Sequence, residues 1–440
     1  MTKNEKVNYY LTAFLIAGAC CLIFYPGIFS TDSLSQINQA ISSNYNSWHP
    51  AIMAILMHYL YKPFGVGGLF VLHQFLYWLA WALFFDIVLQ KRRKTYLLTG
   101  FFTPFFLISL TVWKDTGMLI ALFLGLILLY HLFIYRKYIV LIPITILWIY
   151  AFNVRTNAFI IVSTLIFTLV TAYCFSKKSN PIQSFFVGIT SVVLLGGLFF
   201  SVNFAINKYY NVRQISALPS LVLYDAAGTY SNANLNNILP PTWAEKNTLN
   251  SDKNWIHEYN EKICSLCWTS EVTCDGTPEL NTVYLNYWIE TILKEPVAYV
   301  KHRLSFTSNL YGINFPTFFP YQSHKQQKKF SSEFHINSIG VLLLYPMYRI
   351  SDLLSFFHLY QPALYILLSV YCLLESFKRY FCKKEFTIET LFVLAISSSS
   401  IVNALTLAVL AVSADYRYMI WSVFGGFISM LLIFKTKNTY

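Results

Sequence analysis

Charge is what this 440-residue chain has least of: Asp, Glu, Lys and Arg make up 12% of it, against 56% hydrophobic residues. Soluble domains carry about 25% charged residues, so the composition excludes an ordinary soluble fold and points to an integral membrane protein. Acids are the scarcer sign, 20 against 32 Lys and Arg, for a formal net charge of +12. In a soluble protein such an excess suggests nucleic acid. Here the cations stand in short clusters between apolar runs, as topology signals do, and no nucleic-acid partner is expected. Also missing are a Gly-rich phosphate loop, an internal repeat, a low-complexity tract and a small-x-small cleavage site after the first apolar run, which exits through Ile28-Phe29-Ser30. Those absences argue against a soluble nucleotide donor and against a cleaved signal peptide. Residues 9–29 read as a retained anchor.

Of eight cysteines, Cys20, Cys21, Cys174, Cys372 and Cys382 sit in or beside apolar runs and read as buried small hydrophobes. Cys264, Cys267 and Cys274 cluster in a polar stretch. One disulfide and an odd thiol are expected there if the stretch lies outside the cytoplasm. A zinc site would need a fourth ligand that is not evident.

What is present is a series of long apolar runs. Crossing a bilayer takes about 20 apolar residues with every backbone group bonded internally, so the runs are expected to be helices. They fall at residues 9–29, 66–89, 95–112, 117–134, 138–153, 157–175, 183–205, 357–377, 386–411 and 418–435. The expected fold is an all-α polytopic membrane protein with about ten transmembrane helices. Three parts follow: residues 1–205, with seven spans and a first outer loop at 30–65; an outer domain at 206–356; and residues 357–440, with three spans. Lys3/Lys6, Lys91 to Lys94, Arg136-Lys137, Lys177-Lys178, the Lys378/Arg379/Lys383/Lys384 group and Lys435/Lys437 then share one side, placing both termini in the cytoplasm. Residues 51–61 are apolar but too short to cross, so 34–44 and 49–62 are expected as two helices on the outer membrane surface. Residues 206–356 hold half of the acids between Asp225 and Glu295. Residues 341–348 look membrane-hugging, with a re-entrant hairpin as the alternative.

This topology puts every unusual polar residue at a membrane edge on one side: Asp32, Trp48 and His49; Lys114 and Asp115; Arg155 and Asn157; Asp225; Asp415 and Arg417. Each has a plainer reading. Asp32 suits an N-cap, and Ser33 to Gln36 a capping box. His49 suits a wet loop, and Lys114-Asp115 an interfacial ion pair worth about 0–1 kcal/mol. Arg155 and Arg417 in short outer loops run against the positive-inside bias, and ionisable groups at that depth face the bundle interior with a partner or ligand, snorkelling being the alternative. As a set they describe a cavity with cations suited to a phosphate and carboxylates suited to accepting a proton. A phosphate at that depth belongs to a lipid.

The strings YPGIFSTDSLSQ, SWHPAI, TVWKDTG, VRTNA, LYDAAG and DYRY, in this order, resemble the GT-C class of membrane glycosyltransferases, bacterial members related to phage-type O-antigen glucosyltransferases. The resemblance implies a polyprenyl-phosphate sugar donor, a glycan acceptor, a bacterial inner-membrane location and an active site on the outer face. It makes Asp32 the candidate catalytic base and Arg155, Lys114 and Arg417 candidates for binding the donor phosphate. Asp115, Asn157, Asp225 and Asp415 are supporting residues, and His49 and Trp48 line the acceptor side. No cofactor is expected: where many class members carry two adjacent acids, Asp32 is followed by Ser33, so a metal-binding pair is not evident. The rival readings are an O-antigen-type polymerase, disfavoured because Arg213 is the sole arginine of residues 206–300, and a lipid or solute transporter, disfavoured because the polar set lies at one face.

Overall fold

A computed structural model describes residues 3–235, 260, 274–275, 278–313, 332–382 and 387–437. Among the described residues the chain forms sixteen α-helices. They are α1 (Lys3–Phe24), α2 (Thr31–Ser42), α3 (Ala51–Phe64), α4 (Gly68–Leu83), α5 (Thr103–Ser109), α6 (Lys114–Tyr135), α7 (Leu141–Val154) and α8 (Ala158–Ser176). Then come α9 (Pro181–Tyr209), α10 (Leu218–Ala233), α11 (Pro278–Lys294), α12 (Pro296–Leu310), α13 (Ser338–Phe356), α14 (Pro362–Phe377), α15 (Ile388–Leu410) and α16 (Ile420–Lys437). One antiparallel pair of two-residue strands, β1 (Ile215–Ser216) and β2 (Cys274–Asp275), joins the segments that lead into α10 and α11.

Eight helical segments are long and apolar enough to cross a membrane, which makes this a multi-pass, all-α membrane-embedded chain. Seven coincide with expected spans, three expected spans are shorter or broken, and one segment is new. The run at 95–112 is not one helix but a 3₁₀ stretch, Lys94–Phe101, followed by α5. Pro104 explains the break: it has no N–H to give the Gly100 carbonyl four residues back, and the Tyr77 hydroxyl donates to that carbonyl instead, at 2.6 Å. The runs at 138–153 and 357–377 form α7, of 14 residues, and α14, of 16. The new segment is α13, a continuous 19-residue helix where a hairpin was the alternative.

Two short helices do occupy the first polar loop. Pro63 and Gly65, the latter at φ +63°, end α3 before α4 begins. The helix α2 packs on α3, and α3 on α4 and α7.

Inside the bundle, aromatic rings join early and late helices: Trp81 of α4 lies 5.2 Å from Phe123 of α6, which lies 4.6 Å from Phe424 of α16. Lipid offers no hydrophobic drive to helix association, so small residues and buried hydroxyls carry much of the packing. Gly425 lets α16 sit against Ser400 of α15, and Ser397 donates to Ser429, Asn403 to Ser422 and Ser422 to the Ser400 carbonyl. At the end of the bundle carrying the N-terminus, Lys435 reaches Glu389 at 2.6 Å, and Asp86 is held by Tyr10 and Arg92. Gly125 of α6 is a comparable close approach, since a Cβ there would stand 2.2 Å from the Trp148 indole nitrogen of α7. Gly125→Leu should therefore cost about 1–3 kcal/mol by overpacking, seen as a lower thermal midpoint in detergent; an unchanged midpoint would show that the α6–α7 contact is slack.

Candidate functional site

The site is assembled by a backbone clasp between two segments far apart in sequence. Ile28 N–H donates to the Leu110 carbonyl (2.8 Å), and Val112 N–H to the Ile28 carbonyl (2.9 Å). Gly27 permits the turn that leads there: it sits at φ +96°, and a Cβ would meet Phe70 and Val112 at 2.9 Å. Ser33 Oγ then donates to the Val112 carbonyl (2.6 Å), and Trp113 Nε1 to Ser30 Oγ (2.8 Å). Ser30, not Asp32, caps α2, in a reciprocal capping box with Ser33. Relieved of capping, the Asp32 carboxylate faces the cavity from the first turn of the helix.

Three further segments close around it. Arg417 of the DYRY stretch donates from Nη1 to Asp32 Oδ2 at 2.8 Å, and its Nε lies 3.0 Å from Asp415 Oδ2. The guanidinium also lies over the Trp113 ring, 5.0 Å from its centroid. Arg155, between α7 and α8, donates from Nε to Asp115 Oδ1 at 2.7 Å and stacks on Tyr418 at 4.5 Å. Asp115 thus pairs with Arg155 rather than with its neighbour Lys114. Lys114 Nζ turns to His49 Nδ1 at 3.3 Å, and His49 Nε2 lies 4.0 Å from Asp32 Oδ1. The loop bearing His49 is pinned by Ser47 N–H to the Arg213 carbonyl and by Ile215 N–H to Ser47 Oγ.

These residues enclose a cavity of about 420 Å³, lined among others by Asp32, Trp48, His49, Lys114, Arg155 and Arg417. Asp115 and Asp415 do not line it. Three basic side chains and one carboxylate therefore face the space, while two carboxylates stand behind the arginines and hold them. That arrangement suits an anion.

Burial alone would raise the Asp32 pKa, but Arg417, Lys114 and His49 outweigh it and bring the carboxyl down to about 2. Burial, seconded by the Lys114 cation, lowers His49 to about 3. A neutral His49 that accepts from Lys114 at Nδ1 carries its proton on Nε2, directed to Asp32.

The remaining expected residues go elsewhere. Asn157 donates to Asn403 (3.2 Å) and ties α8 to α15; its neighbour Thr156 lines the cavity instead. Asp225 is fully buried in a separate cluster, accepting from Trp288 Nε1 at 2.7 Å, bonded to His302 at 3.0 Å and paired with Arg303. Arg303 also donates to the Ala411 carbonyl at 2.8 Å, so this cluster steadies the segment whose Leu410 and Val412 line the cavity wall. Cys264 and Cys267 lie outside the described residues, and with them the expectation of one disulfide among Cys264, Cys267 and Cys274. Among the described residues no group of three or more His, Cys, Asp or Glu is placed to hold a metal ion. Asp32 and Asp115 are each paired with an arginine.

Sequence reasoning passed over Tyr418, Trp113, His302 and Arg303. The first two flank the charged residues of DYRY and TVWKDTG, and aromatic rings beside an arginine were the available signal. No local signal marks His302 and Arg303, which lie in a helix with an ordinary mixed sequence.

Two outcomes follow. Because His49 is depressed from 6.5 to about 3 and Asp32 from 3.8 to about 2, the folded chain binds fewer protons than the unfolded one. The contribution of His49 is complete above pH 6.5 and falls as pH drops toward 3, and that of Asp32 falls from about pH 4 toward 2. His49→Gln should flatten the loss of thermal midpoint between pH 6.5 and about 5, where few carboxylates titrate. An identical slope in wild type and variant would refute the buried neutral imidazole. Arg303→Met leaves Asp225 without its guanidinium and should cost about 3–5 kcal/mol in chemical denaturation, with Asp225→Asn in the same chain recovering part of it.

Comparison with known protein families, with curated proteins and with solved structures finds no match to this chain.

Proposed function

We propose that this chain is an inverting glycosyltransferase of the bacterial inner membrane. It moves a sugar, a hexose such as glucose, from a polyprenyl-phosphate donor to a hydroxyl of a cell-surface glycan on the outer face. The observation that carries the reading is the convergence of Asp32, Lys114, Arg155 and Arg417, from four separate segments, on one cavity in which basic groups outnumber the acid.

In this mechanism the donor phosphate enters among Lys114, Arg155 and Arg417. The acceptor hydroxyl attacks the anomeric carbon, its proton passes to Asp32, and the bond from that carbon to the phosphate oxygen breaks. The lipid phosphate leaves with the electron pair, and the basic groups stabilise its growing charge. Asp115 and Asp415 keep Arg155 and Arg417 oriented. Asp32 at about 2 is a weak base while Arg417 holds it. A phosphate that draws Arg417 away removes the main charge lowering that pKa and makes Asp32 a stronger acceptor as the substrate arrives. His49, with Nε2–H toward Asp32, and Trp48 stand on the acceptor side.

The test is a comparison of surface glycans by mass spectrometry from cells with wild type, with Asp32→Asn and without the gene. Gain of one hexose per repeat unit with wild type, lost with an Asp32→Asn chain that inserts normally, is expected; general-base loss is typically about 10²–10⁴-fold. Normal transfer by Asp32→Asn would end the base assignment. A change in glycan chain length alone would point to a polymerase, and no change at all to transport.

A further inference from the structure

A second cavity, of about 490 Å³, lies away from the Asp32 site, between α8, α9, α14 and α15. Its wall is built from Phe167, Thr171, Phe175, Phe377, Tyr380 and Ser398 among others, and apolar surface predominates. Phe167 to Phe175 spans eight residues of one helix, so the groove runs for about 12 Å along the bundle. Its two ends differ. The end near Phe167 and Leu394 is apolar and deep in the helices. The other meets the turn after α8 and the turn after α14, where Lys177, Lys178 and Lys378 are exposed within a few residues of the lining side chains Phe175, Pro181 and Phe377.

Two cations meet on one ring at this end. Arg136 donates to the Tyr173 hydroxyl at 3.3 Å, and both Arg136 and Lys177 lie over the Tyr173 ring, at 5.8 and 5.7 Å. Tyr173 is next to the lining residue Ala172, whose carbonyl accepts from Tyr380 and ties α8 to the turn after α14. Glu375, in the last turn of α14, pairs with Arg379 at 3.1 Å. One turn inside the basic mouth, Thr171 Oγ1 is packed against Gly188 of α9. A groove with cations at its mouth and hydrocarbon surface beyond has the polarity sequence of a phospholipid: phosphate, then acyl chain.

We infer that the groove between α8, α9, α14 and α15 is a binding site for an anionic phospholipid, its phosphate among Lys177, Lys178 and Lys378 and one acyl chain along Phe167 to Phe175. A zwitterionic lipid fills the groove equally well but gains little from the lysines. A basic pocket between membrane helices on the side of the anionic leaflet recognises acidic head groups, and these basic clusters are the ones the positive-inside rule assigns to that side. The inference is independent of the transferase reading, since it shares no residue with the Asp32 cavity.

The full chain, purified in detergent, is offered equal amounts of phosphatidylglycerol and phosphatidylcholine with the same acyl chains, and bound lipid is counted by native mass spectrometry. Wild type should retain phosphatidylglycerol in preference. The triple variant Lys177→Gln, Lys178→Gln, Lys378→Gln, changed only at exposed positions, should lose that retention by at least about tenfold while keeping its helical circular dichroism. Ser398→Phe, which fills the groove, should reduce binding with the lysines intact. Equal retention of both lipids, unchanged retention in the triple variant, or displacement by inorganic phosphate alone would each overturn the assignment.

Discussion

Arg417 and Asp32 stand 385 residues apart in the chain and 2.8 Å apart in space. The two side chains are largely buried, 11% and 24% exposed, so removing one member leaves the other as a mostly buried charge. The pair therefore ties the start of the last helix to the first polar loop, and the rest of the site depends on that closure. Arg417 is held from three sides, by Asp32, by Asp415 and by the Trp113 face. Any anion that enters the cavity must compete with Asp32 for it, so occupancy of the site and the basicity of Asp32 are coupled by construction.

Around that pair the structure sorts its charges by direction. Asp115 and Asp415 turn away from the cavity and restrain arginines, whereas Asp32 faces it with the three basic groups. A chain balanced at the level of motifs thus presents a basic surface where a ligand would sit. The Asp225 cluster does a different job: buried with His302, Trp288 and Arg303, it braces the segment between α15 and α16 through the Ala411 carbonyl.

The bundle supplies the rigid frame on which these contacts can be short. Serines and glycines of α15 and α16 allow close approach, and the aromatic cluster of Trp81, Phe123 and Phe424 fixes the last helix against α4 and α6. The helical runs are broken at Pro63–Gly67 and at Phe102, so α3 and α5 stay short.

Hydropathy alone determined that the chain is helical and membrane-embedded, because a bilayer admits so few ways of bonding a backbone. It also picked out the residues of the site, since ionisable groups at membrane edges are costly and stand out against 56% hydrophobic sequence. Asp32, His49, Lys114, Arg155 and Arg417 were all legible in that way. Partnership was not. That Asp115 serves Arg155 rather than Lys114, that Ser30 frees Asp32 from capping, and that Asp225 belongs to a second cluster were decided by which helices pack together. So was the single long α13, because an apolar run of that length is compatible with hugging, turning or crossing until its neighbours are known. Local sequence sets what a residue must do with its charge; only the tertiary structure chooses the partner, because pairing energy depends on distance and burial between segments hundreds of residues apart.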